Sequence, residues 1–109
     1  MRIIDTIENN ILETIGKTPL LCLNNIAGEI SSNIKIYAKL ECYNPGGSVK
    51  DRAAFQMIKD AEESGELTKD RVIIDSTSGN TGIAYAMIAA VMGYRAEIII
   101  PKNASIERK

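Results

Sequence analysis

The sequence predicts an α/β fold in which a parallel sheet is flanked by helices. Three short segments, 34–40, 72–75 and 96–100, have the alternating or continuous apolar pattern of strands. Helical patterns separate them, and the resulting order of strand, helix, strand, helix, strand is typical of βαβ units. Loops 44–50 and 76–82 each follow the carboxyl end of a strand. We therefore expect both loops at one edge of the sheet, where ligands of such folds bind.

Size and composition are those of one compact domain, with 45% apolar and 25% charged residues among 109. The net charge of −1 predicts no attraction to nucleic acid or to an anionic membrane. The chain has no apolar run of the ~20 residues that span a bilayer and no signal-peptide pattern, so we expect a cytoplasmic protein. Cys22 and Cys42 are expected to be reduced thiols, and no metal site is predicted. Because histidine is absent, acid–base chemistry is left to Lys, Tyr, Ser or carboxylate groups.

The N-terminal segment predicts a capped helix followed by an extended stretch. Asp5 and Glu8 have the spacing of a capping box. Isoleucines then recur at helical spacing up to Gly16, which is expected to end the helix (Ile7, Ile11, Ile15). Residues 20–23 are short and apolar and are expected to be extended.

Two longer helices are predicted between the strands. Ser48 and Asp51 repeat the capping pattern, and the helix that follows is expected to continue through Ser64 and end at Gly65. One face is apolar and the charged residues lie largely outside it (apolar: Ala54, Met57, Ile58, Ala61; charged: Asp51, Lys59, Asp60, Glu62). Segment 83–92 is apolar on nearly every face and predicts a fully buried helix that ends at Gly93. A last helix is expected to start at Ser105.

Lys50 is the first candidate for chemistry, because it follows the turn 44–47 at the start of a predicted helix. The partial positive charge of a helix N-terminus disfavours a cation and favours the neutral, nucleophilic amine. A lysine that forms a Schiff base with a carbonyl needs that property. The alternative is a solvated lysine, or one paired with Asp51 or Glu41. The segment has neither P-loop nor dinucleotide-fingerprint spacing, which argues against a nucleotide site.

Loop 76–82 is the second candidate. Gly79 and Gly82 would let the backbone approach a ligand closely, and the residues between and before them carry short hydroxyl or amide groups (Ser76, Thr77, Ser78, Asn80, Thr81). With the N–H groups of the following helix, this loop suits a carboxylate or a phosphate. The alternative is an ordinary strand-to-helix turn with a good cap.

Together these motifs resemble pyridoxal-phosphate enzymes of the tryptophan-synthase-β fold type, and most closely the cysteine synthase (O-acetylserine sulfhydrylase) and cystathionine β-synthase family. The similarity is carried by residues 15–20 (IGKTPL), 39–52 (KLECYNPGGSVKDR), 76–83 (STSGNTGI) and 101–108. One departure is Asp75-Ser76, where relatives commonly have Glu-Pro.

The resemblance implies the cofactor pyridoxal 5′-phosphate, held covalently by Lys50, which also moves protons. It implies that Asn80 binds the pyridoxal 3′-oxygen. Thr77, Ser78, Gly79, Asn80 and Thr81 would bind the carboxylate of a small amino-acid substrate. The implied reaction replaces the acetate of O-acetylserine with sulfide to give cysteine, in a homodimer. Alternatives are cystathionine β-synthase or another serine-derived β-replacement enzyme, and a non-catalytic domain that binds carboxylates or a partner subunit.

The resemblance also implies that residues 1–109 are an N-terminal segment and most of the smaller of two domains. The C-terminal remainder, with the loop that holds the cofactor phosphate, would then be absent from this sequence. We accordingly expect the isolated chain to be inactive.

Overall fold

A computed structural model describes residues 8–27 and 33–106. Its strands are β1 (Leu20–Cys22), β2 (Tyr37–Lys39), β3 (Val72–Ser76) and β4 (Arg95–Ile99). Its α-helices are α1 (Asn24–Ala27), α2 (Lys50–Glu63) and α3 (Asn80–Met92), and short 3₁₀ helices cover Ile11–Thr14 and Glu41–Tyr43. Within this part of the chain, no helix is long and apolar enough to cross a membrane.

The parallel pair β3–β4, with α3 as its crossover, confirms the α/β class. Val72 lies opposite Arg95 and Ser76 opposite Ile99 in the ladder. The prediction that segment 34–40 adds a third strand to this sheet is wrong. In the described residues β2 instead pairs antiparallel with β1 in a separate two-stranded sheet.

The backbone bonds that flank β1 and β2 explain the difference. The Leu40 N–H donates to the Pro19 carbonyl and the Leu23 N–H donates to the Ile36 carbonyl, both at 2.9 Å. The segment before the glycine turn is therefore joined to the N-terminal part of the chain. Sheet topology no longer explains why loops 44–50 and 76–82 should lie together.

The packing of α2 against α3 provides a different reason. The Tyr85 hydroxyl donates to Met57 Sδ at 3.4 Å, and near the other ends of the helices the Tyr94 hydroxyl donates to Glu62 at 2.5 Å. The earlier residue of α2, Met57, contacts the earlier residue of the second segment, Tyr85, and the later residue Glu62 contacts the later residue Tyr94. This order requires α2 and α3 to run in the same direction. Their first turns therefore lie at the same end of the pair, and the core is formed between them and the sheet (Ala54, Ile58, Ala84, Tyr85, Ile88, with Leu12 of the first 3₁₀ helix).

Helix α2 ends as predicted: Ser64 is its C-cap, and Gly65 follows in the left-handed conformation at φ +77°. Its apolar face is confirmed for Ala54 and Ile58, which are buried, whereas Met57 is 58% exposed. The placement of Asp51 outside the buried face is wrong, because Asp51 is fully buried.

Helix α3 begins at Asn80, three residues before the predicted start, and ends at Gly93 with φ +74° as predicted. The prediction that it is buried on all faces is wrong. Ile83 is 53% exposed and Val91 is 43% exposed, because α2 and the parallel pair β3–β4 cover only part of the surface of α3.

The predicted first helix is described only from residue 8. There the chain forms a 3₁₀ helix, capped by Asn10 Oδ1 accepting the Leu12 N–H at 2.8 Å. Leu12 is buried while Ile11 is 45% exposed, so the predicted isoleucine face is wrong at Ile11. Gly16 follows with φ +83°, as expected of a helix end. The capping box Asp5–Glu8 and the helix from Ser105 lie largely outside the described residues.

Candidate functional site

Lys50 is the first residue of α2, and its side chain is exposed. Its backbone N–H donates to Ser48 Oγ at 3.1 Å. The predicted capping box of Ser48 and Asp51 is wrong, because the N-cap is Val49 and the Asp51 carboxylate accepts the Gly46 N–H. Lys50 forms no ion pair within the described residues. The alternative pairing with Asp51 or Glu41 is not found, because both carboxylates are bonded elsewhere.

Asp51 binds the turn that precedes Lys50. Its Oδ2 accepts the Gly46 N–H at 2.5 Å, whereas Oδ1 has no hydrogen-bond partner among the described residues. The carboxylate satisfies this amide instead of returning to Ser48, which is why it is buried despite its charge. A Cβ at position 46 would lie 2.8 Å from Oδ2 and still closer to Oδ1. Gly46 therefore makes the contact possible, while Gly47, at φ +82°, supplies the left-handed turn.

Arg52, for which no separate role was predicted, binds Glu41 and the segment 16–18. Its Nε donates to Glu41 Oε2 at 2.8 Å and its Nη2 to Glu41 Oε1 at 2.9 Å. Nη2 also lies 2.9 Å from the Gly16 carbonyl and 3.2 Å from Thr18 Oγ1. The opposite charges of Glu41 and Arg52 are visible in the sequence. They are eleven residues apart, so no helical spacing indicates that the two side chains form a pair.

Loop 76–82 forms a short turn that directs N–H groups outward. The Thr77 N–H donates to the Ile99 carbonyl at 3.1 Å, and Thr77 Oγ1 accepts the Gly79 N–H at 3.2 Å. In residues 8–27 and 33–106, no group accepts a hydrogen bond from the backbone N–H groups of Asn80 and Thr81. These donors and the positive end of α3 suit an anion.

The two glycines of the loop have different environments. A Cβ at Gly79 would meet nothing within 4 Å, so the space beside this residue is open. The expectation that Gly82 allows close approach of a ligand is wrong. A Cβ at Gly82 would lie 2.9 Å from Thr77 Cγ2 and 3.0 Å from Ile98 Cγ2, so this buried glycine lets α3 pack on β4.

Lys50 and the loop lie at the same end of the α2–α3 pair. Met57 is seven residues after Lys50 and its contact Tyr85 is five residues after Asn80. At the rise of an α-helix, Lys50 and Asn80 differ by only about 3 Å along the helix axes. No hydrogen bond or ion pair of the described residues joins Lys50 to Thr77, Ser78 or Thr81. The arrangement leaves an exposed amine and the N–H donors of loop 76–82 at the same end of the α2–α3 pair.

Comparison with known proteins identifies relatives over nearly the whole chain. Residues 11–109 match the family described as pyridoxal-phosphate dependent enzyme. A cysteine synthase of Flavobacterium sp. is 53% identical over 100 residues, which are 92% of this chain and 32% of that protein. A cystathionine beta-synthase of Apis mellifera is 54% identical over 99 residues, which are 91% of this chain and 20% of that protein.

A solved structure agrees with the same grouping. O-acetyl serine sulfhydrylase isoform 3 of Entamoeba histolytica superposes with a TM-score of 0.92 at 45% identity, covering 99% of this chain and 33% of that one. The chain thus spans about a third or less of the length of the relatives it matches.

We predict that Gly46→Ala destabilises the fold. The added Cβ would overlap the buried Asp51 carboxylate, and overpacking of this kind lowers the free energy of unfolding by about 1–3 kcal/mol. Urea unfolding measures the change. The matched control is Gly79→Ala, where the Cβ enters open space and only the cost of alanine at the N-cap of α3, about 0.5 kcal/mol, is expected. Equal effects of the two variants would contradict the role given to Gly46.

We also predict an acid-sensitive contribution from Glu41. The hydrogen bonds from Arg52 lower the pKa of this carboxyl from 4.5 to about 2, against the opposing effect of desolvation. Because the folded-state pKa is depressed, the stabilisation is present above pH 4.5 and is lost as the pH falls towards 2. Urea unfolding between pH 6 and 2.5 should therefore show a smaller loss of stability in Glu41→Gln than in the wild type.

The control for this pH series is Glu63→Gln, which removes an exposed carboxylate 3.7 Å from Lys59 on α2. It should keep the acid dependence of the wild type. An unchanged slope in Glu41→Gln would show that the Arg52 contact contributes nothing to acid stability.

Proposed function

This chain belongs to the family of pyridoxal-phosphate dependent enzymes, and we propose that it carries the reactive lysine and the substrate-carboxylate loop of a β-replacement enzyme of the cysteine synthase type. In that reaction sulfide replaces the acetate of O-acetylserine, giving cysteine and acetate. The observation that carries the proposal is the exposed amine of Lys50 at the same end of the α2–α3 pair as the free N–H groups of Asn80 and Thr81.

The residues present fit an anionic, carbonyl-bearing cofactor. Lys50 is free of ion pairs among the described residues and so has an amine available to bond to the carbonyl carbon. When bound, pyridoxal phosphate supplies an electron sink for negative charge at the substrate Cα. The substrate amine would displace Lys50 from the carbonyl carbon, and the freed Lys50 Nζ would be the group that takes the proton from the substrate Cα. Asn80, exposed at the first position of α3, has an amide to donate to the cofactor 3′-oxygen.

The loop orients the substrate through its carboxylate. Thr77 Oγ1 accepts one hydrogen bond from Gly79 and keeps its own hydroxyl proton to donate. Ser78 and Thr81 add hydroxyl groups, and the open space at Gly79 admits the carboxylate to the N–H groups. Fixing the carboxylate directs the Cα proton towards the lysine, because a bound geometry replaces a random encounter.

The second candidate is cystathionine β-synthase chemistry, favoured by a relative of that name with almost the same identity. Both reactions share the lysine and the carboxylate loop and differ in the incoming nucleophile. A non-catalytic domain is the third. The homodimer that the resemblance implies, and the cytoplasmic location expected from the sequence, form part of the proposal for the whole enzyme.

Covalent attachment at Lys50 tests the first part of the proposal. Pyridoxal phosphate is added to the purified protein, and the visible absorption of lysine-bound cofactor is recorded. We expect a band that is lost in Lys50→Ala and kept in Lys59→Ala, which removes another exposed lysine of the same helix. A band of equal intensity in both variants would contradict the role of Lys50. No band in the wild type would show that this chain does not hold the cofactor unaided.

The identity of the reaction is tested with pairs of substrates. Because the isolated chain is expected to be inactive, the pairs are supplied to the whole enzyme of which residues 1–109 would be the N-terminal part. There we expect cysteine from O-acetylserine with sulfide, measured as free thiol amino acid, at a rate at least about tenfold above that of cystathionine from serine with homocysteine. The reverse preference would favour the second candidate. The absence of both products, with the absorption band present, would favour the non-catalytic alternative.

A further inference from the structure

The first three residues of α2 point in three directions. Successive residues of an α-helix are about 100° apart around its axis, so Lys50 and Arg52 project on nearly opposite sides. Lys50 faces the exposed side, while Asp51 is buried against Gly46. Arg52 lies on the remaining side, with 40% of its side chain exposed.

The contacts of Arg52 form a closed network rather than a single surface pair. Each Glu41 carboxylate oxygen accepts two hydrogen bonds, since the Thr18 hydroxyl donates to Oε1 at 3.0 Å and Asn44 Nδ2 donates to Oε2 at 2.8 Å besides the bonds from Arg52. Asn44 Oδ1 in turn accepts the Gly16 N–H at 2.8 Å. We call these five residues the Arg52 clamp (Gly16, Thr18, Glu41, Asn44, Arg52).

Several features set this clamp apart from an ordinary surface ion pair. Thr18 and Asn44 are 6% and 3% exposed, so the hydrogen bonds they make are shielded from water. The guanidinium binds the carboxylate through two parallel bonds, a geometry that fixes orientation as well as distance. Gly16 has no side chain where a Cβ would lie 2.6 Å from Arg52 Nη1. Single exposed pairs lack such constraints and contribute little.

We propose that the Arg52 clamp is a positioning device that sets the rotation of the first turn of α2 and thereby directs Lys50 towards loop 76–82. The inference rests on the proposed function, because it concerns the direction of the reactive amine. The clamp binds the helix on the side opposite Lys50, and Asp51 binds Gly46 on the side between Arg52 and Lys50. Because contacts to separate segments fix two sides of this turn, the helix cannot rotate about its axis, and the direction of the Lys50 side is fixed as well. Arg52 is therefore a positioning residue and touches no reacting group.

Selective labelling measures the direction of Lys50 without an activity assay. The protein is treated with pyridoxal 5′-phosphate, and borohydride then reduces the carbon–nitrogen double bond to a stable secondary amine. Peptide mass spectrometry gives the ratio of label on Lys50 to label on Lys59, an exposed lysine of the same helix. In the wild type, donors of loop 76–82 hold the anionic reagent beside Lys50, so the ratio should be well above one.

Arg52→Lys keeps the charge but loses the two parallel bonds, and Glu41→Gln removes the charged acceptor. Each should lower the Lys50 to Lys59 ratio about tenfold, because small displacements of a reacting group have large effects on rate. The double variant should be no lower than either single one, since the two residues act as a unit. Asp60→Asn, which removes the charge of the carboxylate that accepts the Gln56 amide at 2.6 Å on the same helix, should leave the ratio unchanged.

Thermal unfolding of each variant separates positioning from stability, and labelling is done well below each midpoint. A lowered midpoint with an unchanged ratio would overturn the inference and leave the clamp a structural contact only. If Arg52→Lys does not fold, Thr18→Val is decisive, because it removes the hydroxyl bonds while keeping the Arg52–Glu41 pair. An unchanged ratio there would equally overturn the inference. A wild-type ratio near one would instead count against the proposed function.

Discussion

The buried carboxylate of Asp51 is the contact on which the arrangement around Lys50 depends. A charged group without exposure is costly unless it is hydrogen-bonded, and this one accepts the amide of Gly46. The bond joins the glycine turn to the start of α2, so the turn and the helix behave as one piece. Lys50 is exposed because its neighbour is buried. The contact thus needs both residues, because Asp51 supplies the acceptor and only glycine at position 46 leaves room for it.

Local signals in the sequence were sufficient for much of the fold. Gly65 and Gly93 mark helix ends by their left-handed conformation, and the apolar runs of β3 and β4 mark the parallel pair. These predictions succeeded because each depends on residues adjacent in the chain. The start of α3 was placed too late, since a loop of small polar residues and a capped first turn have the same composition.

Long-range pairing was the part that the sequence did not reveal. Alternation in segment 34–40 identifies a strand but carries no information about its partner, and Pro19 and Leu23 engage its backbone instead of β3. Likewise, an acid three residues after Ser48 predicts a capping box with that serine, whereas the Asp51 carboxylate accepts the N–H of Gly46, two residues before Ser48. Motifs identified the candidate residues Lys50 and 77–81. Their location at the same end of the α2–α3 pair follows from the contact of Met57 with Tyr85. The supporting contacts of Arg52 required coordinates.

The common direction of α2 and α3 also has an electrostatic consequence. Each helix carries roughly half an elementary positive charge at its N-terminus. The Asp51 carboxylate in the first turn of α2 opposes the field of that helix, whereas the first turn of α3 contains no acidic residue. The negative end of α3 is offset by Lys69, whose ammonium lies 2.7 Å from the Met92 carbonyl. The domain is therefore polarised although its net charge is only −1. An anion at this end would be favoured by the N-terminus of α3, without a cluster of basic side chains.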